Sequence, residues 1–321
     1  MTGPYDREAT LAALLRALPY IRLFKGKLFV IKVGGTAGGD PHVLRQLAEQ
    51  VGVLTELGVR VVLVHGGGSQ TTTLAERLGV ESSFVDGRRI TSDKLLDVAV
   101  MTLNGTVSTA VLAACRGVGL PAVAVSGVSA GLILARQRPP VLRDAGDGVR
   151  EVDYGRVGDI VSVDATVVER LLGAGFLPVV SPLSADQDGR LLNVNADTVA
   201  AAVAAALKAE KLIFLTDTPG LLEDRRDPGS LVSYVDLAGL AAMQERGALD
   251  GGMLPKVAAA RAALAGGVGR VHVIGNRQKS GLLLEVFTNE GAGTLIVRTI
   301  GDLAPAEQAA GAAPGVAEVG R

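Results

Sequence analysis

Uninterrupted apolar runs that stop at glycine constrain this chain more than any other feature. LFVIKV at 28–33 ends on Gly34 and Gly35, and VRVVLVH at 59–65 ends on Gly66, Gly67 and Gly68. AVAVS at 122–126 is followed by Gly127. LPVVSPL at 177–183, KLIFLT at 211–216 and RVHVIG at 270–275 share the same β-rich character. A strand that is apolar at every position has both faces covered, the condition of a parallel sheet between helices. Helix-like stretches fall between the runs, at 41–57, 70–78, 92–116, 165–174, 195–209 and 254–265. The pattern predicts an α/β fold with a mainly parallel sheet covered on both faces. Ligands of such sheets sit beyond the carboxyl ends of the strands, which is where the glycines lie.

Outside that beat, LILARQ at 132–137 and the segment 150–164 read as short strands with turns. Ahead of the first strand, Leu11, Leu14, Leu15, Leu18, Ile21 and Phe24 recur at helical spacing. Pro19 interrupts them and predicts a kink or break near residues 17–18. The stretch 304–321 is rich in Ala, Gly, Pro and Glu without periodicity and reads as disordered.

Charge and cysteine content narrow the function classes. Lys and Arg number 32 against 33 Asp and Glu, so no basic footprint for nucleic acid or an anionic membrane exists. The single cysteine, Cys115, excludes an intrachain disulfide and a cysteine-built zinc site. No apolar run reads as long and clean enough to cross a bilayer, the Ala/Val stretch 198–207 being too short. The N-terminus lacks the basic–apolar–small pattern of a secretory signal. A cytoplasmic protein is the expectation.

The familiar nucleotide and hydrolase motifs are missing: there is no G-x-x-x-x-G-K-[ST], strand-linked G-x-G-x-x-G, H-E-x-x-H or G-x-S-x-G. His42, His65 and His272 are scattered. Four clusters remain. Lys32 sits inside an apolar run just before Gly34 and Gly35, and a buried ammonium needs an anion. His65 leads into three glycines whose N–H groups could converge on an anion. N-V-N-A-D at 193–197 offers Asn193 and Asn195 on one side of an extended segment and Asp197 at a helix start. G-G-M-L-P-K at 251–256 puts Lys256 in a first helical turn, where a cation opposes the helix dipole. Two lysines, an aspartate and two glycine loops at one sheet edge suit the stabilisation of a transferring phosphoryl group without a P-loop.

The segments YIRLFKGKLFVIKVGG, VVLVHGGG, DGRRIT, NVNAD, FLTDTPGLL, GGMLPKV and LLLEVFTNEGAGTLI, spanning about 20–297, resemble the amino-acid kinase family. Within it they resemble the arginine-sensitive branch with an N-terminal helix, whose members phosphorylate N-acetyl-L-glutamate. The resemblance implies a three-layer αβα sandwich. It divides the chain into a helical extension at 1–26, an acyl-amino-acid lobe at 27–184, an ATP lobe at 185–299 and the tail at 300–321. It implies that Lys32 and Lys256 stabilise the phosphoryl group and that Asp197 holds both lysines. Gly34 and Gly35 would bind phosphate. Gly67, Gly68, Arg89 and Asn193 would bind the acyl amino acid, and Thr216, Asp217 and Gly220 the nucleotide. ATP would arrive with Mg²⁺, no protein-built metal site being expected.

Departures from the family pattern lie around the substrate lobe. Ser108-Thr109 stands where an Asn-Lys pair is common, and residues 126–131 read S-G-V-S-A-G in place of S-G-K-D-G. They keep open a related substrate, such as an acetylated or carrier-linked aminoadipate, and a non-catalytic regulatory module. The resemblance further implies a homodimer or homohexamer and an arginine effector site at Tyr20, His272, Glu285 and Gly291. Gly275 and Ser280 stand there in place of an Asp and a His.

Overall fold

The computed structural model describes residues 7–85, 88–144, 149–227, 229–249, 251–288 and 291–302. Among these residues, eight strands form the central sheet: β1 (Leu28–Val33), β2 (Arg60–His65), β3 (Ala122–Ser126), β4 (Leu177–Ser181), β5 (Lys211–Thr216), β6 (Tyr234–Asp236), β7 (Arg270–Gly275) and β8 (Gly293–Val297). Their spatial order is β6-β8-β7-β5-β1-β2-β4-β3, and only the β7–β8 pair is antiparallel. Strands from before and after residue 185 thus occupy separate halves of the sheet. The halves meet where β1 pairs with β5.

Among the described residues, ten α-helices accompany the sheet: α1 (Arg7–Phe24), α2 (Pro41–Glu56), α3 (Gly68–Arg77), α4 (Asp93–Val100), α5 (Ser108–Gly117), α6 (Thr166–Gly173), α7 (Ala196–Ala206), α8 (Leu237–Glu245), α9 (Met253–Ala265) and α10 (Gly281–Phe287). Alternate strand residues point to opposite faces. Val30, Val62, Val64, Leu212 and Phe214 pack with α6, α7, α8 and α9. Phe29, Ile31, Val61, Leu63, Ile213 and Leu215 pack with α2, α5, α10 and the end of α1. Both sets are buried, which is why the strands read as unbroken apolar runs. The result is the three-layer α/β architecture.

A smaller sheet (Leu191–Asn193, Leu183–Ala185, Ile133–Gln137 and Gly158–Val163, in that order) flanks the site, together with the hairpin of Phe84–Val85 and Arg88–Arg89.

Three expectations need correction. Helix α1 runs through Pro19 without a break. The carbonyl deprived of its donor is that of Leu15, which is exposed, so water can satisfy it. The helix expected at 92–116 is continuous but not uniform, with Met101–Val107 wound at π pitch between α4 and α5. Asp93–Gly117 is also, by length and apolar content alone, a helix that could cross a bilayer. Here it is internal: Leu95, Val98, Leu103, Val107, Val111 and Cys115 are buried against the body. The tail from 303 and residues 1–6 lie outside the described residues.

Candidate active site

The carboxyl ends of β1 and β2 and the starts of α3 and α7 surround an open cavity of about 790 Å³. Lys32 reaches it by strand parity. It shares the face of Val30, toward α7, and is only 6% exposed. Asn195 caps α7, its Oδ1 accepting from the N–H groups of Asp197 and Thr198, which sets Asp197 in the first turn. Asp197 Oδ1 lies 2.8 Å from Lys32 Nζ and Oδ2 lies 3.4 Å from Lys256 Nζ. One buried carboxylate therefore bridges two ammonium groups drawn from β1 and α9.

Electrostatics follow from that bridge. Burial is the largest influence on Asp197 and favours its neutral form, but Lys32 and Lys256 overrule it and hold the carboxyl below the ordinary range. Burial lowers the pKa of Lys32, with Asp197 pulling the other way. At α9 the first turn carries Lys256 beside Asp197, so the carboxylate offsets the unfavourable dipole.

Glycines allow the close approach. A Cβ on Gly34 would sit 2.5 Å from Lys32 Nζ and 2.8 Å from the Leu215 carbonyl. Gly34 gives its N–H to that carbonyl at 3.1 Å, so the expected phosphate donor is already engaged. Gly35 opens a 3₁₀ turn, and Gly34 does not line the cavity. A Cβ on Gly67 would fall 2.7 Å from Leu103, which the π-pitched turns push against the loop. Gly67 and Gly68 do line the cavity, at the N-terminus of α3 where N–H groups lack helical partners.

His65 is structural. Its Nδ1 can only donate to the Gly66 carbonyl at 3.0 Å, so Nε2 accepts from the Ser108 hydroxyl at 2.8 Å. Burial, with the Lys32 charge adding, depresses its pKa to about 4, so the ring stays neutral.

Arg89 lines the cavity from the hairpin. Its Nη2 donates to the Gly68 carbonyl and to Thr72 Oγ1, both at 2.7 Å, its Nη1 donates to Ser82, and the guanidinium stacks on Phe84. Asn193 lines the opposite wall and donates to Thr91 Oγ1 at 3.2 Å. Asp217 also faces the cavity. Thr216 and Gly220 do not; Gly220 is pressed against Leu231 and Thr294 and shapes the loop.

Two arrangements escaped the sequence. Arg138 grips Asp159 with a fork of hydrogen bonds on the cavity wall; nothing in two isolated charges 21 residues apart announces that pair. Lys211 lies 3.0 Å from His272 Nε2, while His272 Nδ1 lies 2.5 Å from Glu285 Oε1. Lys211 is as unexpected inside an apolar strand as Lys32, and that signal was readable. Gly291 sits close against Glu285. The expected effector residues His272, Glu285 and Gly291 are thus neighbours, and Tyr20 packs on the apolar layer of α10. The departures at Ser108-Thr109 and 126–131 do not line the cavity.

Residues 27–275 match the family model described as "Amino acid kinase family". The chain belongs to that family. Among curated amino acid kinases, the acetylglutamate kinase of Myxococcus xanthus is 50% identical over 290 residues, covering 89% of this chain and 94% of that protein. The acetylglutamate kinase of Symbiobacterium thermophilum is 42% identical over 287 residues, covering 89% and 97%. Among solved structures, the N-acetylglutamate synthase from Neisseria gonorrhoeae complexed with coenzyme A and N-acetyl-glutamate superposes with a TM-score of 0.77 at 29% identity. That match covers 90% of this chain and 63% of the synthase, so this kinase-family chain spans less than two thirds of it. The carbamate kinase from Giardia lamblia bound to AMP-PNP, at 19% identity and a TM-score of 0.58, shares the fold.

Proposed function

We propose that the chain transfers the γ-phosphoryl group of ATP to the γ-carboxylate of N-acetyl-L-glutamate, giving N-acetylglutamyl 5-phosphate for arginine biosynthesis in the cytoplasm. The observation that carries this reading is the Lys32–Asp197–Lys256 bridge in a cavity that also presents Gly67, Gly68, Arg89 and Asn193. The curated acetylglutamate kinases, similar over nearly their whole length, support it.

The chemistry needs charge more than proton transfer. The acceptor carboxylate is ionised at neutral pH, so its oxygen attacks phosphorus without a general base. Neutral His65, locked between Gly66 and Ser108, is not asked to act. Lys32 and Lys256 neutralise the oxygens of the transferring group and of the departing ADP. Asp197 keeps the two ammonium groups together against their own repulsion. Arg89 and the start of α3 hold the α-carboxylate, and Asn193 holds the acyl-amino-acid backbone. ATP sits on the β5 side, against Asp217.

Mg²⁺ would enter on the phosphates and neutralise them. Asp197, already shared by two lysines, does not suit direct ligation; Asp217, on the cavity wall, suits a contact through water.

An ADP-release assay with three acceptors tests the reading. N-acetylglutamate should be turned over, and free glutamate should be at least ~10-fold poorer, since the acyl group is what lies beside Asn193. Preference for N-acetylaminoadipate would replace the substrate. Release of ADP with none of them would make the chain a non-catalytic module.

Regulation by arginine belongs to the same proposal. Leu11, Leu14, Leu15 and Leu23 leave an apolar stripe of α1 exposed. An exposed apolar stripe needs a partner, and the partner proposed is α1 of another subunit, giving a hexamer built from dimers. Glu285 is the proposed anchor of the effector guanidinium, yet both its oxygens are engaged, by His272 and by the Ala292 N–H. Inhibition should therefore require millimolar arginine. Deleting residues 1–19, which keeps Tyr20 and Phe24, should give a dimer by light scattering whose activity no longer responds to arginine. A full-length dimer would reject the ring, and activity unmoved by arginine would reject the effector site.

A further inference from the structure

We propose that Asn276 is a positioning residue for phosphoryl transfer, holding the carboxylate of Asp217 in place at the cavity wall. The proposal rests on the reading of the β5 loop as the nucleotide side of the site.

Strands β5 and β7 run parallel in register, Thr216 beside Gly275. The next residue of each, Asp217 and Asn276, therefore leaves the carboxyl edge of the sheet side by side. Asn276 takes hold of the β5 loop twice. Its backbone N–H donates to the Thr216 carbonyl at 2.8 Å, and its side-chain Nδ2 donates to Asp217 Oδ1 at 2.8 Å. The orientation of the amide is set by charge, because a flipped amide would place its oxygen against the carboxylate. Gly275 clears the way: a Cβ there would meet Pro219 at 3.3 Å, so the loop could not fold over the strand end as closely.

The other end of the amide shows what Asn276 is for. Asn276 Oδ1 is buried and has no hydrogen-bond partner among the described residues. An orphaned buried acceptor costs stability, so the side chain is a poor choice for a purely structural post. It is a sound choice if a neutral donor must face Asp217. Asp217 lies close enough to Lys32 for its charge to favour the ammonium form. A carboxylate free to swing would loosen that support and the wall against which ATP is set. Asn276 reaches no lining position of the cavity itself and so acts through Asp217.

The test is kinetic, on the full-length enzyme. Asn276→Ala should lower kcat/KM for ATP about 10-fold with the KM for N-acetylglutamate and the melting temperature unchanged. Asn276→Asp keeps the volume but sets a like charge against Asp217, and should lose more than Asn276→Ala. A structural role predicts the reverse order, with the volume-conserving variant nearly normal. In an Asp217→Asn background, Asn276→Ala should cost nothing further, since coupled residues are not additive. Additive losses, the reverse order, or a fall in melting temperature with normal kinetics would overturn the proposal. If Asp217→Asn left ATP kinetics intact, the nucleotide-side reading would fall and the proposal with it. If Asp217→Asn were impaired while Asn276→Ala were normal, the proposal alone would fall.

Discussion

Lys32→Ala and Lys256→Ala should each lose turnover by about 10²–10³-fold, the cost of one donor aimed at developing charge, about 3–4 kcal/mol. The two variants should differ in stability. Lys32 is the nearer partner of Asp197, at 2.8 Å, and is buried, so its loss leaves the carboxylate with the 3.4 Å contact to Lys256. Lys256→Ala leaves the shorter contact in place. Thermal melts should therefore show a larger fall for Lys32→Ala, while single-turnover rates fall for both. Wild-type turnover in either variant would remove that lysine from the mechanism.

Asp197→Asn should abolish detectable turnover and destabilise the fold by about 3–5 kcal/mol, the usual result of leaving a buried charge without its partner. The pH dependence carries a signature. The Asp197 carboxyl is held below its ordinary range by Lys32 and Lys256 against the opposing effect of burial. A depressed native pKa means the contribution to stability is complete above the ordinary carboxylate range. It is lost as pH falls through the native value. The wild type should lose this increment on the acid side, and Asp197→Asn should lack it. Lys32 behaves differently on the alkaline side. Burial is its largest influence and lowers its pKa, so rising pH relieves a buried charge. Activity should decline there before stability does. Acid titrations of both proteins with equal slopes would reject the assignment of the increment to Asp197.

Much of this was legible in the sequence because burial on two faces leaves a simple trace. All the apolar runs became strands of one sheet, and Lys32 stood out as a charge where no charge belongs. Asn195 was less transparent, since the same amide serves equally as a ligand or as a helix cap, and here it caps α7. Gly34 was legible as a glycine, but its reason is room for the Lys32 ammonium, not a free N–H. Asn276 and the Arg138–Asp159 fork left no mark, because each depends on which strands become neighbours. The short strands β6 and β8 and the helices α8 and α10 were not read from periodicity. They are brief, and α8 is apolar over much of its length.

The π-pitched turns at Met101–Val107 have a consequence for how a chain like this can vary over evolutionary time. A π segment absorbs a residue that an α-helix of the same rise would not hold. Deleting one residue there would let the helix relax to α pitch with the turns on either side keeping their faces, whereas a deletion in α4 would rotate all that follows by about 100°. After such a deletion in α4, Ser108 would swing away from His65, and Leu103 and Val107 would no longer seat Gly67. Single-residue gaps between working relatives should consequently be tolerated within Met101–Val107 and avoid α4.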